Sequence, residues 1–251
     1  MVRAPTSHEL YDILSAVSDR LCSFMIRGEW EVPQDESIPK EPIVLKTLAS
    51  LTISTEWDSL IQQILCMCRF PSLVRLVTPV SIYGILQPQL MRLLTDEPRL
   101  FQSVKHLIIE EFVRAIPMGM FFELRSAFPQ VDHVQFTSYL TSDSSLAIFL
   151  ASSWAPITRL DLQSADLTQV AEMFFIRVLK GFHAPLRELN IDRVYGPLYR
   201  DDYERIRPQV ERFTILEVQP HHPYYTVLHV DAIPFEERLL IAQKPAEHRD
   251  F

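Results

Sequence analysis

The sequence predicts an α/β solenoid: a horseshoe with an inner parallel sheet, outer helices and an N-terminal capping helix. Three observations carry this. A short pattern (apolar, two variable, apolar, one variable, usually apolar) recurs at intervals of 25 to 31 residues, a period typical of repeat architectures. Between recurrences the apolar spacing changes from two to about 3.6, the change from strand to helix. The strand segments alternate, as in His133-Val134-Gln135-Phe136, Arg159-Leu160-Asp161-Leu162 and Glu188-Leu189-Asn190-Ile191. A doubly wound sheet is covered on both faces and reads as continuous apolar runs; alternation leaves one face dry and one wet.

The elements follow in chain order. Thr6 and Glu9 have capping-box spacing, and Leu10, Ile13, Leu14, Val17, Leu21, Phe24 and Met25 form one apolar stripe, predicting a helix within residues 1–30. It covers the first repeat, or alternatively docks onto a separate protein. Residues 31–45 are rich in Pro and charge and read as a linker. Residues 46–233 hold the repeats, whose strand cores are Leu48-Leu51-Ile53, Leu73-Leu76-Thr78, Val104-Leu107-Ile109, Val131-Val134-Phe136, Ile157-Leu160-Leu162, Leu186-Leu189-Ile191 and Phe213-Leu216-Val218. Before several of them stands an aromatic and then a break: Phe70-Pro71-Ser72, Phe101-Gln102-Ser103, Phe128-Pro129-Gln130, Trp154-Ala155-Pro156. Proline there blocks helix continuation and favours extended backbone before it.

Helical spacing fills the intervals. Trp57, Leu60, Ile61, Ile64, Leu65 and Cys68 share one face, with Thr55 as cap. A second helix starts at Ile82 and restarts at Pro88. A third carries Met120, Phe121, Leu124 and Phe128, and a fourth Leu146, Phe149, Leu150 and Trp154. A fifth carries Val170, Met173, Phe174 and Val178 and stops at Gly181. A sixth carries Tyr199, Tyr203, Ile206 and Val210, shortened by Pro208. Phe213–Val218 and Tyr225–Val230 flank Pro220-His221-His222-Pro223, predicting a strand, a loop and a returning strand that closes the sheet edge. Residues 234–251 read as a tail.

Composition narrows the function classes. The chain has 251 residues and a net charge of -8, which disfavours nucleic acid as a partner. Its five glycines (28, 84, 119, 181 and 196) stand too far apart for a dinucleotide fingerprint, a P-loop or a nucleophile elbow. No apolar run approaches the roughly 20 residues of a membrane span, and no secretory h-region follows Met1. With three cysteines (22, 66 and 68), this suits a soluble protein of the cytoplasm or nucleus. Cys66 and Cys68 read as small buried residues on a helix. His221, His222 and His229 lack a supporting ligand set, so no metal or cofactor is expected. Asp201, Asp202 and Glu204 read as a solvated helix start. No Ser, His and Asp are ordered as a triad, so the chain reads as non-enzymatic.

Ile157-Thr158-Arg159-Leu160-Asp161-Leu162-Gln163-Ser164-Ala165-Asp166-Leu167 resembles the leucine-rich-repeat motif L-x-x-L-x-L-x-x-N/C-x-L. Leu186 to Val194 is similar, and the resemblance spans about residues 45 to 233. It departs where the family places Asn or Cys: here stand Glu56, Ser81, Phe112, Tyr139, Ala165, Val194 and His221. The side-chain ladder that serves the backbone there is missing, so those groups need other partners. Degenerate repeats of this kind are similar to the substrate-binding regions that follow an F-box. No F-box pattern is present in residues 1–45.

The wet face is the candidate site. Two rows of side chains project from it: Arg75, His106, His133, Arg159, Glu188, Ile215, and Val77, Ile108, Gln135, Asp161, Asn190, Glu217. Basic and apolar residues come early and acidic ones late, a gradient suited to fixing the direction of an elongated partner. Arg75 and Arg159 are the expected anchors, and His106 and His133 the expected source of mild-acid sensitivity. The expected function is non-catalytic protein recognition through this concave face, with Arg75, His106, His133, Gln135, Arg159, Asp161, Glu188, Asn190 and Glu217 contacting the protein partner. One alternative is a substrate-recruiting adaptor whose N-terminal helix meets a ubiquitin-ligase scaffold; another is a hydrolase-like α/β enzyme.

Overall fold

A computed structural model of the chain describes residues 6–27, 41–54, 64–79, 101–110, 127–139, 157–179, 181, 185–195 and 199–219. The protein is α/β, built on a large parallel sheet. Helix α1 (Ser7–Val17) begins at the expected capping box: Glu9 N–H donates to Thr6 Oγ1 and Thr6 N–H donates to Glu9 Oε2. The helix is shorter than the apolar stripe. After a turn at residues 18–20 the chain enters strand β1 (Ser23–Arg27), so Phe24 and Met25 belong to a strand and not to the capping helix. The strand reading was available: Leu21-Phe24-Ile26 repeats the apolar pattern 27 residues before Leu48-Leu51-Ile53.

Strands β2 (Ile43–Val44) and β4 (Cys68–Arg69) form a small parallel pair, so the expected linker ends in ordered strand. Ile64 to Met67 are helical, but Cys68 is in β4. Among the described residues the large sheet has eight strands, β1, β3 (Ser50–Ser54), β5 (Arg75–Pro79), β6 (His106–Glu110), β7 (His133–Tyr139), β8 (Arg159–Asp166), β9 (Leu186–Tyr195) and β10 (Val210–Gln219), lying side by side in chain order. Every adjacent pair is parallel.

One junction recurs six times. Two successive N–H groups at the start of a strand converge on a single carbonyl of the preceding unit. Ala49 and Ser50 use Cys22 O, Val74 and Arg75 use Ala49 O, and Lys105 and His106 use Val74 O; the series runs on through Lys105 O, Asp132 O and Thr158 O. The aromatics before the strands form a spine. Phe70, Phe101 and Phe128 are buried and stack in succession, with centroids 6.4 and 5.1 Å apart. In each case the residue three positions on donates its N–H back to the Phe carbonyl, closing the break that Pro or a polar pair opens.

Register aligns two apolar rows on the core face. One runs Phe24, Leu51, Leu76, Leu107, Val134, Leu160, Leu189, Phe213; the other includes Thr78, Ile109, Phe136, Leu162, Ile191, Ile215. Nearly all are buried, each full burial stabilising by about 1.5–3 kcal/mol. A third row, Ala165, Val194 and Val218, occupies the position where the resembled motif carries Asn. The ladder continues through it: Ala165 faces Val194 and Asp166 faces Tyr195. Extended pairing thus supplies the backbone partners that a side-chain ladder supplies elsewhere.

Helix α2 (Leu167–Leu179) buries Leu167, Val170, Ala171, Met173, Phe174 and Arg177. It ends as expected at Gly181, whose φ is 83° and whose N–H donates to Val178 O. Helix α3 (Arg200–Ile206) gives way to a 3-10 turn containing Pro208, and β10 begins at Val210. Asp202 is not solvated as expected: it is buried and accepts from Thr168 Oγ1 at 2.7 Å. Tyr203 stacks on Phe213, tying α3 to the sheet. The helices expected at 82–94, 120–126 and 146–154, the returning strand, the histidines from 221 onward and the tail lie outside the described residues.

Candidate functional site

The face opposite the core carries the polar residues of the alternation. Its first row follows the register Arg75, His106, His133, Arg159, Glu188, Arg212. Ser50 precedes Arg75. The expected last member, Ile215, is instead buried beside Ile191, and the row ends in a cation. The second row is Thr52, Val77, Ile108, Gln135, Asp161, Asn190, Thr214. Glu217 is not in it: it is exposed and lies across from Arg193. The shift is three residues. Both Phe213-Leu216-Val218 and Val210-Phe213-Ile215 fit the repeat pattern; the second is adopted because it buries Ile215 and leaves Leu216 out. The signal for it was the alternation Arg212-Phe213-Thr214-Ile215, the same polar-apolar order as His133 to Phe136.

The face is not uniformly open. Thr52, Val77 and Ile108 are buried although they point away from the core rows. From β7 onward the second row is half-buried at Gln135, Asp161 and Asn190. The hydrated front expected from alternation is therefore only partial in this row over β7–β10 and is covered over β3–β6. Val77 and Ile108, the apolar members of an otherwise polar row, marked the covered part.

Asp161 is the hub. Its Oδ2 lies 2.7 Å from His133 Nε2, its Oδ1 accepts from Asn190 Nδ2 at 2.7 Å, and Arg159 grips it through Nε (3.1 Å to Oδ1) and Nη2 (3.1 Å to Oδ2). Burial alone would raise its pKa; the hydrogen bonds from His133, Arg159 and Asn190 outweigh it and hold the carboxyl well below the usual range,. An ionised carboxylate only accepts, so His133 Nε2 carries the proton of that bond. The Asp161 bond in turn raises the Arg159 pKa. Arg159 Nη1 lies 3.3 Å from Glu188 Oε2, and Arg212 Nη1 donates to Glu188 Oε1 at 2.6 Å.

At the other end Arg75 Nη1 donates to Ser50 Oγ at 3.2 Å. His106 stacks on His133 with ring centroids 3.7 Å apart, and its Nε2 is buried without a hydrogen-bond partner. Burial, then the neighbouring His133 and Arg75, lower the His106 pKa to about 4. His106 therefore stays neutral in mild acid, contrary to the sensing role expected of it. The expected charge gradient is also cancelled: Glu188 lies between two arginines, and Asp161 is bound by His133 on one side, by Asn190 on the other and by Arg159.

Seven of the nine expected residues thus lie in the two rows on one face with direct contacts to one another or to a neighbouring serine: Arg75, His106, His133, Arg159, Asp161, Glu188 and Asn190. Gln135 lies in the second row between Ile108 and Asp161. Glu217 is displaced, and Arg212 was missed. Elsewhere, burial pushes the Cys68 thiol up to about 12, the behaviour of a small core residue. Among the described residues no helix is long and apolar enough to cross a membrane. No family model, curated protein or solved structure matches this chain.

Proposed function

We propose that the chain is a leucine-rich-repeat-like horseshoe that recognises another protein, without catalysis, through the polar face of its sheet over β7–β10. The observation carrying this is the in-register row His133, Arg159, Glu188, Arg212, contributed by four successive strands in chain order. Parallel strands stacked in this order give an extended surface whose neighbouring side chains come from different repeats. Much of the row is already hydrogen-bonded, so a partner meets groups held in place and loses less entropy in ordering them.

Arg159 is tied into the Asp161 hub, so the test uses Arg212 and Leu216, both exposed on β10. The double variant Arg212→Glu, Leu216→Asp is expected to melt as the wild type does and to lose the proteins co-purified by the wild type from cells. Retention of the same proteins at equal yield by the folded variant overturns the reading.

A second reading, the adaptor, draws on α1. This helix buries Leu10 and Leu14 but leaves Ile13 and Val17 exposed, an apolar pair one turn apart. Ile13→Asp together with Val17→Asp tests it. Loss of ubiquitin-ligase components with unchanged thermal stability favours docking by α1, and unchanged co-purification leaves the helix as a cap.

A further inference from the structure

At the β8–β10 end of the face, two guanidinium groups share one carboxylate. Glu188 on β9 meets Arg159 of β8 through Oε2 and Arg212 of β10 through Oε1. The carboxylate lies beneath them: its side chain is 17% exposed, against 44% for Arg159 and 69% for Arg212. A molecule approaching this part of the sheet therefore meets the cations first. Arg159 is also pinned from the other side by the Asp161 fork.

Both arginines retain donors. A guanidinium has five N–H groups. Arg159 commits Nε, Nη2 and Nη1 to the two carboxylates, and Arg212 commits Nη1 to one. At this end the charges of Arg159 and Arg212 balance those of Asp161 and Glu188, so the attraction for an acid comes from the exposed guanidinium donors lying above a half-buried carboxylate.

A second feature lies on the same strand. Arg212, Thr214 and Leu216 alternate with the buried Phe213 and Ile215, and Leu216 is 70% exposed. Four residues of extended chain place it about 13 Å from Arg212. Asp192 follows Asn190 on β9 and is exposed near this apolar end. The face thus offers cations at one end of β10 and an aliphatic contact beside an anion at the other.

We infer that the partner segment is an extended peptide with an aspartate or glutamate about four residues from an aliphatic side chain. This rests on the recognition reading above and names the partner's chemistry. The carboxylate takes the free donors of Arg159 and Arg212, which suit planar, two-pronged recognition. The aliphatic group covers Leu216. Asp192 repels a second acid there, so the peptide lies in one direction.

The test is selection of a random dodecapeptide display library on the immobilised full chain, followed by affinity measurement with synthetic peptides. Expected are peptides pairing an acid with an aliphatic residue at that spacing, each binding at least tenfold more tightly than its Glu→Gln or Asp→Asn counterpart. Arg212→Gln is expected to reduce that ratio below threefold, and Arg212→Glu to shift selection toward basic peptides. Leu216→Ala is expected to weaken the acidic and amide peptides equally. These three variants and Leu216→Asp are to be shown folded by their melting curves. Enrichment of basic or neutral peptides by the wild type, no enrichment, or an unchanged ratio in Arg212→Gln overturns the inference. Neutral peptides that lose binding to Leu216→Asp remove the carboxylate assignment and leave the recognition face standing, as does loss of cellular partners by the double variant described above.

Discussion

His106 illustrates how a single residue on this face is set by its neighbours. Its ring is stacked on His133, its Nε2 has no hydrogen-bond partner, and Arg75 and Arg159 are among the cations acting on it, opposed by Asp161. Its pKa is lowered to about 4 in the folded chain, against about 6.5 when unfolded. The unfolded state then binds the extra proton as pH falls through that interval. The stability contribution is whole above pH 6.5 and is lost progressively down to pH 4. One proton limits the slope to about 1.4 kcal/mol per pH unit, and the ring's partial exposure reduces it. The melting temperature is expected to fall between pH 6.5 and 4.5, above the range where most carboxylates protonate. His106→Phe, which keeps a ring for the stack, is expected to flatten that fall. Parallel pH profiles for the two proteins would show that His106 is not the group responsible.

At the scale of elements, what was legible depended on the range of the interaction that decides each one. The α1 cap and the Gly181 stop are settled within a few residues and were read directly. The Phe70, Phe101, Phe128 spine was visible as a recurring letter, although its stacking belongs to the fold. Strand β1 was hidden because Leu21, Phe24 and Met25 continue the helical stripe of α1 as well as beginning a repeat; the turn at residues 18–20 decides, and only pairing with β3 reveals it. Likewise the register of β10 is fixed by β9, not by its own letters, and Asp202 looked solvated because its partner, Thr168, is 34 residues away. The row Ala165, Val194, Val218 gives a prediction at this scale. Val194→Asn restores the residue type that the resembled motif carries, but into a fully buried apolar row whose backbone is already paired. Its amide has no evident partner there, and the change is expected to cost about 3 kcal/mol, read as a lower urea midpoint. An unchanged midpoint would mean that the position accepts a polar ladder after all.

For the molecule as a whole, the order of the sheet has a consequence for how it comes apart. Neighbouring strands are joined at register positions 24 to 31 residues apart, the extremes being Glu188 with Arg212 and Arg75 with His106. Each pairing therefore closes a loop of similar length at a similar entropic cost, and none waits for the two ends of the chain to meet. Assembly of this kind proceeds like a zip, and fraying starts from strands with one neighbour instead of two, which among the described residues are β1 and β10,. Backbone amide exchange should be slowest in β6 to β8 and quicken toward β1 and β10, with destabilising changes near one end accelerating exchange there first. Equal protection along all eight strands would instead mean that the sheet opens only as one unit.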